Sequence, residues 1–162
     1  MKQYLVSEKD YLGTFNKKDQ ARYKEYLKVV KLKREGYQRS EIAESIRNTS
    51  LLRISSWTTR NPTIPVSVRC IQKAQQRRYF NIDKRSQEAK ILAYLVGFCM
   101  SDGNIHRKLC NTWFYGVSTD LPILNTLLQN FAVQGTIHIY KIDNGKMCIS
   151  DNAFTRLMVT LG

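Results

Sequence analysis

The chain has 162 residues, enough for one ordinary domain or two small ones, and 43% of them are hydrophobic, enough for a core. No apolar run approaches the length of a membrane span and the opening residues lack a signal-peptide core, so the expectation is a soluble, intracellular, non-secreted protein with no membrane partner. The formal net charge of +13 is uneven: residues 1–87 hold 20 Lys and Arg against 8 Asp and Glu, and residues 88–162 hold 6 against 5. Such asymmetry marks a polyanion-binding part joined to a more neutral one. Nucleic acid is the leading partner, because clustered cations displace the counterions condensed on a phosphate backbone. The four cysteines, Cys70, Cys99, Cys110 and Cys148, form no CxxC pair and stand with only two histidines, so reduced thiols are expected rather than a zinc site.

Residues 1–19 show no clear element. Residues 20–47 are charged and helical, with Tyr23, Tyr26, Leu27, Val30 and Leu32 offering an inward stripe until Glu35-Gly36-Tyr37 breaks it. Ser40 is a good N-cap for Glu41–Arg47, whose acidic residues suit a helix N-terminus. Asn48-Thr49-Ser50 reads as a turn. Leu51–Thr59 is a third helix carrying Leu52, Ile54 and Trp57, and Asn61-Pro62 ends it. The run REGYQRSEIAESIRNTSLLRISSWTTR resembles a helix-turn-helix DNA-binding unit, although Ile46–Leu52 lacks the glycine that many such turns carry. In that resemblance Ala43 lets the third helix cross the second closely, and Ile54 and Trp57 face the core. Arg53, Ser55, Ser56, Thr58 and Arg60 are then available to the major groove or its flanking phosphates. This basic unit is placed at residues 20–80. Within it, Asn61–Pro65 is extended and Val66–Tyr79 forms another basic helix with Val68, Ile71 and Ala74 on one side. Residues 81–87 are polar and aperiodic and read as a linker.

Residues 88–162 form the second part. Leu92, Leu95, Val96, Cys99 and Met100 have the spacing of an amphipathic helix, and Gly97 and Ser101 lie one turn apart on one face. Asp102 ends this helix, with Gly103 as a left-handed stop. A carboxylate at the negative end of the helix dipole is badly placed for stability, which points to a bound cation. A strand over 104–110 puts Ile105 and Leu109 on one face and Asn104, His106 and Lys108 on the other. A second strand covers 112–118. Thr119 or Asp120 can cap a helix striped by Leu121, Leu124, Leu127, Leu128 and Phe131. Thr136–Ile142 alternates, Asp143-Asn144-Gly145 signals a hairpin, Lys146–Ser150 is a short strand, and Asn152–Leu161 is a last helix. The plain reading is an α+β domain with an ordinary buried helix ending in Asp-Gly.

The run Leu95-Val96-Gly97-Phe98-Cys99-Met100-Ser101-Asp102-Gly103 resembles the motif of LAGLIDADG homing endonucleases, in the variant written YLIGLFLGDG. The other acidic position of that motif is Met100 here. The resemblance implies an αββαββα domain over 88–162 behind the helix-turn-helix region. It implies that Gly97 and Ser101 pack against a second motif helix, and that Asp102 binds Mg²⁺ at the scissile phosphate. It turns Asn104, His106 and Lys108 toward double-stranded DNA. With one motif per chain it also implies a homodimer. Family members commonly continue beyond the position of Gly162, where an assisting lysine lies, so truncation stays open. The expected function is a sequence-specific, metal-dependent double-stranded DNA endonuclease. The alternative is a non-catalytic DNA-binding transcriptional regulator that retains the fold.

Overall fold

The computed structural model describes residues 3–46, 49–117, 119–131, 138–140 and 145–162. The chain is a mixed α+β protein in two compact units, one of Phe15–Cys70 and one of Met1–Thr14 with Ile71–Gly162. The division therefore falls at residues 14/15 and 70/71 rather than in the polar stretch 81–87.

The first unit is helical. Helix α2, Lys17–Arg34, starts at Asn16, whose side chain accepts the Asp19 amide N–H at 2.9 Å. Lys31, Lys33 and Arg34 occupy its last turn, where the dipole favours cations, and Gly36 follows at φ +93°. Its buried line is Tyr23, Tyr26 and Val29. Leu27, expected inward, is exposed, and Val30 is only half-buried, because the line follows the i+3 row. Helix α3, Arg39–Ser45, begins two residues earlier than a Ser40 cap would start it. Its cap is Gln38, whose backbone N–H donates to the Glu41 carboxylate. Helix α4, Leu51–Thr58, is capped by Ser50 and packs on α2 and α3 through Ile54 and Trp57. The Trp57 ring meets Tyr26 edge-on at 5.5 Å. Asn48 of the expected turn lies outside the described residues. Helix α5, Val66–Gln76, buries Val68, Ile71 and Ala74 as its periodicity predicts.

The second unit takes residues from both sides of the helical one. Helix α1, Glu8–Gly13, capped by Ser7, occupies the stretch where no element was expected. Tyr11 is fully buried and its hydroxyl donates to the Ala153 carbonyl at 3.0 Å. Leu5 N–H donates to the Ile82 carbonyl at 2.8 Å and Lys84 N–H to that of Gln3 at 2.9 Å. Tyr79, in a single 3₁₀ turn over Tyr79–Asn81, is buried and donates to the Phe131 carbonyl at 3.0 Å. Residues 81–87 are thus integral to this unit; hydrogen bonds, which carry no periodicity signal, hold them there.

Then follow α6 (Gln87–Asp102), β1 (Gly103–Ile105), β2 (Thr112–Gly116), α7 (Asp120–Gln129), β3 (His138–Tyr140), β4 (Gly145–Ile149) and α8 (Asn152–Leu161). The strands form one antiparallel sheet in the order β1-β2-β4-β3. Phe114, Met147 and Ile149 enter the core with Leu92, Leu95, Leu124, Phe154 and Leu157, and the buried Thr112 hydroxyl lies 2.9 Å from that of Thr155. The expected strand over 104–110 is shorter: it stops at Ile105, and residues 106–110 turn, with Leu109 at φ +50°. Thr119 sits at the start of α7 without a side-chain cap bond. Of the expected strand 136–142 only residues 138–140 are described, and Asp143 and Asn144 of the hairpin lie outside the described residues. Among the described residues no helix is long and apolar enough to cross a membrane, and all four cysteines are free thiols.

Candidate nucleic-acid interface

Helix α6 forms because Ser86 caps it, accepting the Ala89 N–H at 3.2 Å, and because Ala89, Leu92, Leu95 and Cys99 make a buried line. The exposed Glu88 carboxyl in its first turn is held below its ordinary value by its own backbone N–H and the Ser86 hydroxyl. Burial pushes the Cys99 thiol up, which leaves it a neutral core group. Met100, expected inward, is 73% exposed. It belongs to a second face with Ala93, Tyr94, Gly97 and Ser101, all exposed. A Cβ on Gly97 would meet nothing within 4 Å, so within one chain this face is open.

Asp102 closes α6 and is exposed. The Ser101 hydroxyl lies 3.1 Å from its Oδ2 and 3.2 Å from the Phe98 carbonyl, and with one proton it serves one of them at a time. Gly103 is extended, at φ −134°, rather than left-handed. Glycine is required there for a different reason. A Cβ would sit 2.5 Å from the Cys99 carbonyl oxygen and 2.8 Å from its Sγ. The chain doubles straight from the last helical turn into β1, and this close passage fixes the backbone beside Asp102. Among the described residues no group of three or more metal-ligating side chains forms.

Of the three residues expected to share a strand face, only Asn104 lies in β1, opposite Trp113. His106 and Lys108 are exposed in the turn that follows. The His106 Nδ1 accepts the Lys108 N–H at 3.3 Å and lies 3.0 Å from the Cys110 Sγ. The sheet face turned away from the core carries residues the sequence reading missed. Trp113 and Tyr115 alternate with the buried Thr112 and Phe114, and Lys146 alternates with Met147, its Nζ 5.4 Å from the centre of the Trp113 ring. Aromatics at three successive positions, 113–115, hide which of them point outward.

In the helical unit the five expected contact residues divide. Arg53 is half-buried, 3.7 Å from the Glu25 carboxylate and 6.0 Å from the Trp57 ring. The Ser56 hydroxyl donates to the Arg53 carbonyl at 2.8 Å, and that of Thr58 to the Ile54 carbonyl at 2.9 Å. These three side chains are engaged on their own unit. Ser55 lies half-buried on the outer side and Arg60 is exposed just beyond α4. Leu51, Leu52 and Thr59 complete the outward face, with Leu52 84% exposed. Residues 15–70 hold 13 Lys and Arg against 5 Asp and Glu. No family model, no curated protein and no solved structure matches this chain.

Proposed function

We propose that the chain is a sequence-specific, metal-dependent endonuclease of double-stranded DNA, of the LAGLIDADG homing type, acting as a homodimer. The observation that carries this reading is the juxtaposition of an exposed carboxylate, Asp102, with an uncovered small-residue helix face at Gly97 and Ser101. The element order α6-β1-β2-α7-β3-β4-α8 supports it, and so does the basic helical unit preceding it.

The fit to Mg²⁺ is that of half a site. A hard divalent ion takes oxygen ligands and keeps several waters. Asp102 supplies one such ligand per chain, and the rest would come from phosphate, water and the Asp102 of a second copy. The metal, when bound, supplies polarisation of a phosphate oxygen and a more acidic water. The protein's own residues do the positioning. Ser101 orients the Asp102 carboxylate, and the Gly103 passage holds it at the head of β1. Asn104, His106 and Lys108 contact groove edges or phosphates, and Ser55 and Arg60 with the outward face of α4 dock the flanking duplex.

Cleavage of a randomised target-site library with Mg²⁺ tests this. Wild type should cut, and Asp102→Asn should not, while both bind DNA alike. Equal cutting by the variant, with a chelator blank clean, would remove Asp102 from the mechanism. The regulator reading expects tight site-specific binding with no cutting by either protein.

A further inference from the structure

Helix α4 turns an apolar and hydroxylic row outward from a basic unit. Ile54 and Trp57 are buried, and the opposite side of the helix carries Leu52 and Ser55, with Thr59 at the C-cap. Leu52 is 84% exposed and its neighbour Leu51 56%. The helix contains no Asn, Gln or Lys. Its single charged side chain, Arg53, is turned back on its own unit, 3.7 Å from the Glu25 carboxylate and 6.0 Å from the Trp57 ring. The row therefore offers branched carbon and hydroxyls, and lacks the forked donors that read guanine or adenine. The unit behind it holds 13 Lys and Arg against 5 Asp and Glu, and Arg60 is exposed just past the helix. That excess favours a polyanionic occupant over an apolar protein surface. On the base edges of a major groove, the apolar groups are the thymine methyls.

We propose that Leu52, with Leu51 beside it, reads thymine methyl groups in the major groove. The duplex segment under α4 is then chosen by its methyls rather than by hydrogen bonds to guanine or adenine. This rests on the docking of α4 in duplex DNA proposed above, and names what that helix selects. A leucine placed over cytosine leaves a gap where the methyl would be. Placed over a purine, it strips water from ring and carbonyl acceptors and returns no hydrogen bond. Selection by one methyl is worth about one buried carbon, or roughly fourfold in affinity.

The test uses the full chain and a duplex selected for binding from a random library in the presence of a chelator. Each thymine is replaced in turn by deoxyuridine, which lacks only the methyl and keeps the hydrogen-bonding edge. At one or two positions wild type should lose about fourfold in affinity. Leu52→Ala should bind the parent duplex about fourfold or more weakly, and should lose nothing further with deoxyuridine at those positions. Its melting temperature should match wild type, because Leu52 is exposed, and Leu51→Ala reads the neighbouring position in the same way. A wild type indifferent to deoxyuridine throughout overturns the proposal. So do deoxyuridine losses that persist unchanged in both leucine variants, since these belong to duplex shape. Either result leaves salt-dependent duplex binding standing, so it is separate from failure of the docking reading. Failure to select any duplex overturns both. A Leu52→Ala protein that keeps duplex affinity but no longer self-associates in sedimentation gives the row to a second copy, and overturns the proposal as well.

Discussion

Asp151 joins a helix cap to a buried ion pair in the sheet-containing unit. Its Oδ1 accepts the N–H groups of Ala153 and Phe154 at 3.0 and 3.2 Å and so caps α8. Its Oδ2 takes Arg77 Nη1 at 2.7 Å, with the two side chains only 7% and 2% exposed. Breaking a buried pair from one side typically costs about 3–5 kcal/mol, because the remaining charge is stranded. Asp151→Ala should therefore lose about that much in urea unfolding, well above the roughly 1 kcal/mol of a lost cap alone. Beside this pair, burial pushes the Tyr79 hydroxyl up from 10.0 to about 12, against the opposing pull of Arg77. The fold thus favours the protonated phenol. Its stabilisation is complete below pH 10, where the unfolded tyrosine is also protonated, and fades as pH rises from 10 to about 12. Stability should fall across that window in wild type and fall less in Tyr79→Phe, measured by unfolding at fixed pH values. Gly103→Ala is a third residue-scale case. The added methyl meets backbone of Cys99 rather than a mobile side chain, so about 1–3 kcal/mol should be lost, and Asp102 displaced with it.

Within single elements, α4 separates packing from contact. Ile54 is fully buried, so Ile54→Ala should cost about 2–5 kcal/mol. Leu52→Ala should change stability by no more than about 0.5 kcal/mol, yet weaken duplex binding if α4 is the docking helix. Thermal melts and duplex titration of the two variants together check the assignment. The helices were the legible part of this chain, since α4, α5, α6 and α8 carry apolar spacings that packing follows. Leu27 and Met100 were misread because periodicity states which residues share a stripe but not whether a neighbour covers it. The β1 strand was read too long because Asn104–Leu109 alternates like a strand, while Leu109 sits at φ +50° and turns the chain. The place of Asp102 at the end of α6 was legible from the apolar pattern. The outward Trp113, Tyr115 and Lys146 were not, because side-chain direction in β2 is set by strand register. The engagement of Arg53, Ser56 and Thr58 was hidden for a similar reason, as it depends on how α4 sits on α2 and on its own backbone.

For the molecule as a whole, charge and the proposed self-association set the expected behaviour. Duplex affinity of the full chain should drop steeply with salt, by a slope of about 0.9 per phosphate neutralised, and a flat response would deny the basic unit its role. Gly97→Leu tests dimerisation without harming the monomer, since the space above Gly97 is open. Sedimentation should show wild type pairing on DNA and the variant remaining single, with unchanged melting temperature. A wild type that stays monomeric on DNA while cutting both strands would show that no second copy completes the site. The interleaved chain path carries a further consequence for synthesis. In sequence, residues 15–70 interrupt a unit made of Met1–Thr14 and Ile71–Gly162. On the ribosome the helical unit can close early, whereas Tyr11 must wait for Ala153 to be made. At roughly 5–20 residues per second that wait is on the order of ten seconds, with Val6, Tyr11 and other apolar groups of the leading segment unsatisfied throughout. A nascent chain stalled before α8 should thus show protease resistance over residues 15–70 and none over residues 1–14.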